Sequence, residues 1–183
     1  MVKIKGYSFL SSRSAIESVH GKAAVQKIID SLPPEDQLIF SNPILSHLYY
    51  PLDAYVHWLE GEVRILYDGD EAILDRRLRE AMEKALKGIY SMIQRFTSPM
   101  EAVHGMAALN HQENLSVERL AIGPRRARLI YRGLHKRHAI YELLLKNWWL
   151  AVVRQTGGKD ARFEPEIPIA AGRDRAEYIL SWT

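Results

Sequence analysis

The sequence contains no cysteine and no long hydrophobic run, and each absence excludes a class of protein. Because none of the 183 residues is Cys, a disulfide framework, thiolate metal ligands and a cysteine nucleophile are all excluded. A chain without cysteine is compatible with a reducing compartment, so we expect the cytoplasm. The segment Met1–Gly6 lacks the apolar core of a signal peptide. No stretch reaches the roughly 18 apolar residues of a membrane-spanning helix, since Arg64, Lys146 and Asn147 interrupt the longest ones.

The remaining composition is that of an ordinary folded protein. Apolar residues make up 47% and charged residues 26% of the chain, which excludes a disordered sequence. A length of 183 residues is sufficient for one substantial hydrophobic core, so we expect a single ligand-binding-like α+β domain over residues 1–183. The sequence has no internal repeat and no low-complexity segment.

Acidic residues are absent from the stretch 119–141, although the net charge of the whole chain is only +3. The stretch contains seven basic residues: Arg119, Arg125, Arg126, Arg128, Arg132, Lys136 and Arg137. Such a block either meets an anionic partner, such as a phosphate or an acidic protein surface, or forms an ordinary solvated face.

The spacing of apolar residues predicts helices up to about residue 112 and mainly strands beyond it. After a short N-terminal strand at 2–8, the predicted helices are 11–19, 23–31, one beginning at Pro34, 52–66, 71–95 and 99–109. Beyond residue 112, the predicted strands are 115–122, 126–132, 161–169 and 175–182, with a helix over 138–155 between the two pairs. The predicted fold class is α+β, with an N-terminal helical layer packed on a C-terminal four-stranded antiparallel sheet of order β-β-α-β-β.

The strand predicted over 126–132 has an apolar face and a basic face. Side chains alternate between the two faces of a strand, which groups Ala127, Leu129 and Tyr131 against Arg126, Arg128, Ile130 and Arg132. We expect the three arginines on the wetter face, as candidates for binding an anion or a partner. A single-stranded nucleic acid would need stacking aromatics on that same face. The position of Tyr131 on the other face counts against nucleic acid.

No catalytic or metal-binding set of residues can be assembled from the sequence. The G-x-S-x-G, glycine-rich phosphate-loop and H-E-x-x-H motifs are all missing. His135 and His138 have no carboxylate near them before Glu142, and His104 and His111 are seven positions apart. We therefore predict no catalytic residue, no metal site and no cofactor. Acid pairs converging in space, as in a cryptic hydrolase, are the alternative that the sequence leaves open.

Aromatic residues are the candidates for a ligand site. Tyr50 and Trp58 lie at the start of one predicted helix, and Trp148 and Trp149 are adjacent in another. Most such residues belong to the core of a protein. Neighbouring residues of a helix point about 100° apart, however, so both tryptophans cannot be buried against one layer. We expect Tyr50, Trp58, and Trp148 or Trp149 to line an apolar pocket between helices and sheet.

The order of several short motifs resembles that of a known family. The motifs are Leu32-Pro33-Pro34-Glu35-Asp36, Tyr50-Pro51-Leu52, Ser98-Pro99, the stretch 120–129 (LAIGPRRARL) and the stretch 177–182 (EYILSW). In this order they resemble a small-protein family of unknown function that is restricted to Myxococcales and related bacteria. That family is similar in layout to the superfamily of haem-NO-binding, vinyl-reductase-like and TRAPP transport-complex domains.

The resemblance implies helices on a four-stranded antiparallel sheet, often a dimer, with a hydrophobic cavity for small molecules or acyl chains. It also implies sensing or scaffolding in place of catalysis. Two departures limit the resemblance. The vinyl-reductase-like branch has cysteines near the last hairpin, where this chain has Ala170, Ala171 and Ala176, so a cysteine-bound metal is excluded. The haem branch uses a Tyr-x-Ser-x-Arg motif, which this sequence lacks, and this counts against haem.

Two functions follow from these observations. The favoured one is a non-catalytic sensing or adaptor module that binds a small apolar ligand or acyl chain and signals through a partner protein. The alternative is a homodimeric protein-interaction module that uses the basic face of Arg126, Arg128 and Arg132, with nucleic-acid binding less favoured.

Overall fold

The computed structural model describes residues 1–88, 95–106 and 112–183. These residues form seven α-helices, a three-stranded sheet and a four-stranded sheet. They divide into two compact units, one of residues 1–74 and 112–114 and one of residues 75–88, 95–106 and 115–183. The predicted α+β class and the four-stranded antiparallel sheet of order β-β-α-β-β are confirmed.

The first unit is mainly helical. Its elements are β1 (Lys3–Lys5), α1 (Gly6–His20), α2 (Lys22–Asp30), α3 (Pro34–Ser41), β2 (Tyr49–Pro51), α4 (Leu52–Leu66), the start of α5 (Glu71–Gly88) and β3 (Gln112–Glu113). Strand β1 is the centre of a small antiparallel sheet, in which β2 and β3 flank it. Strand β1 was predicted from the sequence, whereas the short strands β2 and β3 were not.

The beginning of α1 differs from the prediction. The strand predicted over 2–8 ends at Lys5, and the helix begins at Gly6 rather than near Ser12. The change from strand to helix requires glycine at position 6, because the backbone of Leu45 lies close to it. A Cβ atom on residue 6 would come within 2.3 Å of the Leu45 carbonyl oxygen. Ser11 and Ser12 are capping candidates for the helix predicted over 11–19, but both lie inside α1. Ser12 is 4% exposed, and its hydroxyl accepts a hydrogen bond from Trp58.

The core of the first unit is built around α4. Apolar residues of this helix recur every three or four positions and form a stripe, of which Leu52 and Leu59 are fully inaccessible. Each such side chain contributes about 1.5–3 kcal/mol relative to an exposed one. Trp58 is also fully buried. Its ring stacks on Phe40 with 5.0 Å between centroids, and Phe40 in turn meets Phe9 edge to face.

The second unit contains the four-stranded sheet. Its elements are residues 75–88 of α5, α6 (Pro99–Gly105), β4 (Ser116–Gly123), β5 (Arg126–Arg132), α7 (Tyr141–Gln155), β6 (Arg162–Ile167) and β7 (Arg175–Ser181). The strand order is β4-β5-β7-β6, and every neighbouring pair is antiparallel. Parts of the predicted helices 71–95 and 99–109, at positions 89–94 and 107–109, lie outside the described residues.

Helix α7 begins and ends at defined local structures. A 3-10 turn at Lys136–His138 precedes it, so the helix begins at Tyr141 and not at His138 as predicted. Gly157, with φ of 95°, and Gly158 follow its last residues, as the sequence predicts for a helix terminus. Of the helices in the described part of the chain, none has the length and apolarity required to cross a membrane.

Candidate functional site

One face of the four-stranded sheet brings together a cation, a phenol and an indole. This inner face carries Ala127, Leu129 and Tyr131 of β5, all of them buried. Arg119 of β4 is paired with Leu129 across the sheet, which places it on the same face. The indole of Trp149, from α7, donates a hydrogen bond to the Tyr131 hydroxyl. We call Arg119, Tyr131 and Trp149 the inner-face cluster.

Among the described residues, the guanidinium of Arg119 has aromatic and carbonyl neighbours but makes no ion pair with an acid. Its central carbon lies 5.7 Å from the centre of the Trp149 ring, a cation–π distance. One terminal nitrogen donates to the Val117 carbonyl at 3.3 Å, whereas the Nε atom is buried and has no hydrogen-bond partner. Burial lowers the pKa of Arg119, and Tyr131 acts in the opposite direction. A partly buried cation without a carboxylate is energetically costly.

The hydroxyl of Tyr131 has an unused donor. Tyr131 is 3% exposed, and burial raises its pKa, against the hydrogen bond from Trp149, so the phenol is neutral. Its oxygen accepts the hydrogen of Trp149 Nε1. In the part of the chain that the structure describes, the Tyr131 hydroxyl makes no further hydrogen bond. A phenol can both accept and donate, so its own proton has no acceptor among the residues that the structure describes.

Glu142, the acid beside the neighbouring tyrosine, is held by that tyrosine and by the backbone. The Tyr178 hydroxyl of β7 donates to Glu142 Oε2 at 2.9 Å, and the Ile169 backbone N–H donates to the same oxygen at 3.2 Å. Burial, followed by the charge of Glu142, raises the pKa of Tyr178. The rings of Tyr178 and Tyr131 meet edge to face, 5.9 Å between centroids. Glu142 therefore accepts hydrogen bonds beside the sheet, and among the described residues it makes no salt bridge with Arg119.

The four predicted ligand residues fall in both units. Tyr50 and Trp58 belong to the first unit, and Trp148 and Trp149 to the second. Trp58 is fully buried and donates to Ser12 Oγ at 3.0 Å, while the half-buried Tyr50 accepts from the Leu45 backbone N–H at 2.9 Å. Trp149 is buried and Trp148 half-buried, as expected for adjacent residues of a helix. Their role in lining a ligand pocket stays a prediction.

The three predicted anion-binding arginines lie on the opposite, outer face of the sheet. Arg126 and Arg132 are exposed, and neither has an ion-pair partner among the described residues. Arg128 differs, because it contacts Glu166 of β6 at 3.2 Å and Glu177 of β7 at 4.0 Å. Acids from two other strands thus partly neutralise the basic face, and sequence reasoning on β5 alone did not include them.

The histidines of the described residues are used for structure or lie on the surface. His138 is buried, its Nδ1 accepts from the His135 backbone N–H at 3.0 Å, and its Nε2 lies 3.5 Å from Arg137 Nε. His57 Nδ1 lies 2.6 Å from the Asp36 carboxylate, and His104 is exposed on α6. Within residues 1–88, 95–106 and 112–183, no group of three or more histidines and acids is placed to hold a metal ion.

The inner-face cluster was missed by the sequence analysis, although one signal for it was present. Arg119 was grouped with the basic block, whereas Val117, Arg119 and Ala121 alternate with Glu118 and Leu120. That alternation assigns Arg119 to the apolar face of β4. An arginine at an apolar position of a strand is itself a reason to expect a buried charge with a special partner.

Comparisons with known proteins identify the fold. No protein-family model matches the chain, and no curated protein is significantly similar in sequence. An H-NOX protein from K. algicida in the Fe(II) unliganded state matches with a TM-score of 0.72 and 16% identity, over 98% of this chain and 97% of that one. An H-NOX protein from S. oneidensis in the Fe(II)NO state matches with a TM-score of 0.71 and 11% identity, over 98% of this chain and 99% of that one. The IWP-051-bound H-NOX from Shewanella woodyi in the Fe(II)CO state matches with a TM-score of 0.69 and 9% identity, over 97% of this chain and 94% of that one. The chain has the fold of the H-NOX proteins over nearly its whole length.

Proposed function

We propose that the chain, over residues 1–183, is a non-catalytic sensing or adaptor module that binds a small apolar molecule and signals by contact with a partner protein. The observation that carries this proposal is the inner-face cluster, where no described acid pairs with Arg119 and no described residue accepts the Tyr131 proton. Buried donors normally have a hydrogen-bond partner, and a bound molecule would supply one here. Structures with the same fold, which hold Fe(II), NO, CO or IWP-051, add support for ligand binding.

Haem is not the ligand that we propose. The buried histidine of the described residues, His138, has polar neighbours at both ring nitrogens, so it is not available as an axial ligand for iron. The Tyr-x-Ser-x-Arg motif of the haem branch is also missing. The proposed ligand is therefore an organic molecule, and we place the protein in the cytoplasm and in the Myxococcales-restricted family described above.

The test is a measurement of bound and accepted ligands. Protein purified from cells is analysed by native mass spectrometry before and after extraction with organic solvent, and the extracted protein is then titrated with decanol and 2-naphthalenemethanol. We expect a bound mass that extraction removes, or saturable uptake of at least one of these two apolar probes. A protein that carries no extractable molecule and takes up neither probe would refute the proposal.

A homodimeric interaction module is the second candidate, and it rests on the edge of the sheet. Strand β4 lies at the edge of the strand order, and its Leu120 and Ile122 are 39% and 40% exposed. Leu120 is paired with Arg128 and so belongs to the basic outer face. An exposed, unpaired strand edge with apolar side chains is a surface on which a second copy can add.

Sedimentation equilibrium separates this candidate from the first. If β4 is the dimer contact, the protein is a dimer at micromolar concentration with or without ligand, and the variant Leu120→Glu is a monomer. The control variant Leu38→Glu changes a residue that is 65% exposed in α3 and should leave the mass unchanged. A monomeric unmodified protein removes the candidate. Nucleic-acid binding through Arg126 and Arg132 would instead show a steep dependence on salt.

A further inference from the structure

The net charge of the chain is concentrated at one end of the four-stranded sheet. At this end β5 stops, the 3-10 turn Lys136–His138 follows, and β7 begins. The segments 132–138 and 172–177 that meet there contain five cations and two acids. The whole chain has 25 basic and 22 acidic residues, so the remaining 20 of each sign balance, and these two segments carry the entire net charge of +3. We call the five cations the basic end: Arg132, Lys136, Arg137, Arg173 and Arg175.

Two neighbouring strands and two turns bring these cations together. Arg132 of β5 lies directly opposite Arg175 of β7. The turn that contains Lys136 packs against the segment before β7, since a Cβ atom on Gly172 would lie 3.5 Å from Lys136 Cβ. Arg173 follows Gly172 in the chain. The basic stretch of the sequence is therefore extended by cations from a second segment.

Most of the charge of the basic end is not neutralised by the chain itself. Arg132, Lys136 and Arg173 are exposed, and none of them makes an ion pair among the described residues. Arg175 differs, because Glu177 is its partner. Like charges directly opposite each other on neighbouring strands are destabilising. A negative charge from another molecule would relieve this repulsion between Arg132 and Arg175.

The residue types at the basic end indicate which anion it fits. Four of the five cations are arginines, whose planar guanidinium groups bind acidic groups through paired hydrogen bonds. The segments 132–138 and 172–177 contain no Phe, Tyr or Trp, so they lack the stacking side chains of a single-stranded nucleic-acid site. They also expose no large apolar side chain that could enter a lipid bilayer. Asp174, exposed among the cations, would repel a continuous phosphate backbone but can pair with a basic residue of a protein.

We propose that the partner protein of this sensing module presents an acidic segment to the basic end. This inference rests on the proposed function, because it names the surface through which the module signals and the chemistry of the partner. A positive charge confined to one place on an otherwise balanced chain orients an acidic partner as it approaches and raises the rate of association.

The experiment measures the binding of an acidic peptide. A fluorescein-labelled peptide of repeated Glu-Glu-Ser units is titrated with the protein at low salt, and its fluorescence anisotropy gives Kd. A peptide of repeated Gln-Gln-Ser units is the uncharged counterpart. We expect saturable binding of the acidic peptide alone, and weaker binding as salt is added. Arg132→Gln combined with Arg173→Gln should raise Kd about fivefold, because two exposed ion pairs are lost.

Arg125→Gln combined with Arg162→Gln is the matched control. Both arginines are exposed at the opposite end of the sheet, and neither makes an ion pair among the described residues. The control removes the same charge from the protein, so Kd should barely change. Both double variants should unfold cooperatively in urea, as the unmodified protein does, which shows that a change in Kd does not come from misfolding.

Three results would overturn the acidic-partner proposal: no binding of the acidic peptide, equal effects of the two double variants, or tighter binding of a single-stranded oligonucleotide or of phosphatidylglycerol vesicles. The proposed function is tested separately on the same preparation, by its uptake of decanol and 2-naphthalenemethanol. If the protein takes up an apolar probe but does not bind the acidic peptide, the proposed function stands and this inference fails.

Discussion

Asn147, in the middle of α7, donates its side-chain amide to the Asp75 carboxylate of α5 at 2.7 Å. Asn147 is 1% exposed, and the adjacent Lys146 reaches the same carboxylate at 2.8 Å. These two residues interrupt the apolar pattern of α7 in the sequence. Their role is to join two helices of the second unit through one shared acid.

Removal of Asn147 is therefore expected to destabilise the protein. In Asn147→Ala the Asp75 carboxylate loses one of its partners and Asn147 leaves a small cavity, so we expect a loss of about 1.5–3 kcal/mol in the free energy of unfolding. Urea denaturation measures this value. The control is Glu83→Gln, which breaks the exposed contact of Glu83 with Arg154 and should cost less than about 1 kcal/mol. Equal effects of the two variants would contradict this role of Asn147.

The same acid predicts a dependence of stability on pH. Burial raises the pKa of Asp75, but the hydrogen bonds and charges of Lys146, Asn147 and Arg79 together lower it below its ordinary value of 3.8. A depressed folded-state pKa stabilises the protein above the unfolded-state pKa, and this stabilisation is lost as the pH falls through the folded-state value. The difference in unfolding free energy between the unmodified protein and Asp75→Asn should thus be largest at neutral pH and shrink below about pH 4. A difference that is constant from pH 7 to pH 3 would exclude this linkage.

The bond between Trp149 and Tyr131 can be measured with a double-mutant cycle. Trp149→Phe leaves the Tyr131 oxygen without its donor, and Tyr131→Phe leaves the buried indole N–H without its acceptor. Each change should cost about 1–3 kcal/mol of stability. Because both variants break one bond, the double variant should cost less than the sum by about 0.5 kcal/mol or more. Additive costs would show that the two side chains are not coupled.

Gly6 is expected to accept no side chain. In Gly6→Ala the new Cβ atom would lie 2.3 Å from the Leu45 carbonyl oxygen and 2.8 Å from the Tyr50 ring, so the backbone at the start of α1 must shift. We expect a loss of about 1–3 kcal/mol or more, measured by thermal denaturation. In Gly123→Ala the nearest atom is Arg126 Cβ at 3.6 Å, an ordinary contact, and the melting temperature of that control should barely change.

Local periodicity explains which parts of the fold the sequence could predict. The stripe of α4 and the alternation of β5 are repeated over several turns or residues, so each element could be assigned from its own segment. The break before α1 could not be assigned in this way. It depends on the approach of the Leu45 backbone to Gly6, and these two residues are far apart along the chain.

The candidate site was predictable only in part, for the same physical reason. Tryptophan in α7 indicated a ligand-binding or core position, and the alternation of β5 separated Tyr131 from its neighbouring arginines. Whether an arginine has an acid beside it depends on which strands are adjacent. Glu166 and Glu177 reach Arg128 from β6 and β7, while no acid reaches Arg119 from any described strand. Which strands lie next to each other cannot be read from a single sequence.

The position of Trp149 beneath Arg119 gives the protein an optical reporter. The emission of an indole shifts with the electric field along its ring, and here one positive charge lies 5.7 Å from the ring centre. A molecule that neutralises this charge would change the emission of Trp149. Trp58 is enclosed, with its N–H bound to Ser12, so its contribution to the spectrum stays constant. Once Trp148→Phe and Trp182→Phe remove the other two of the four tryptophans, occupancy of the inner face can be followed through the protein's own fluorescence.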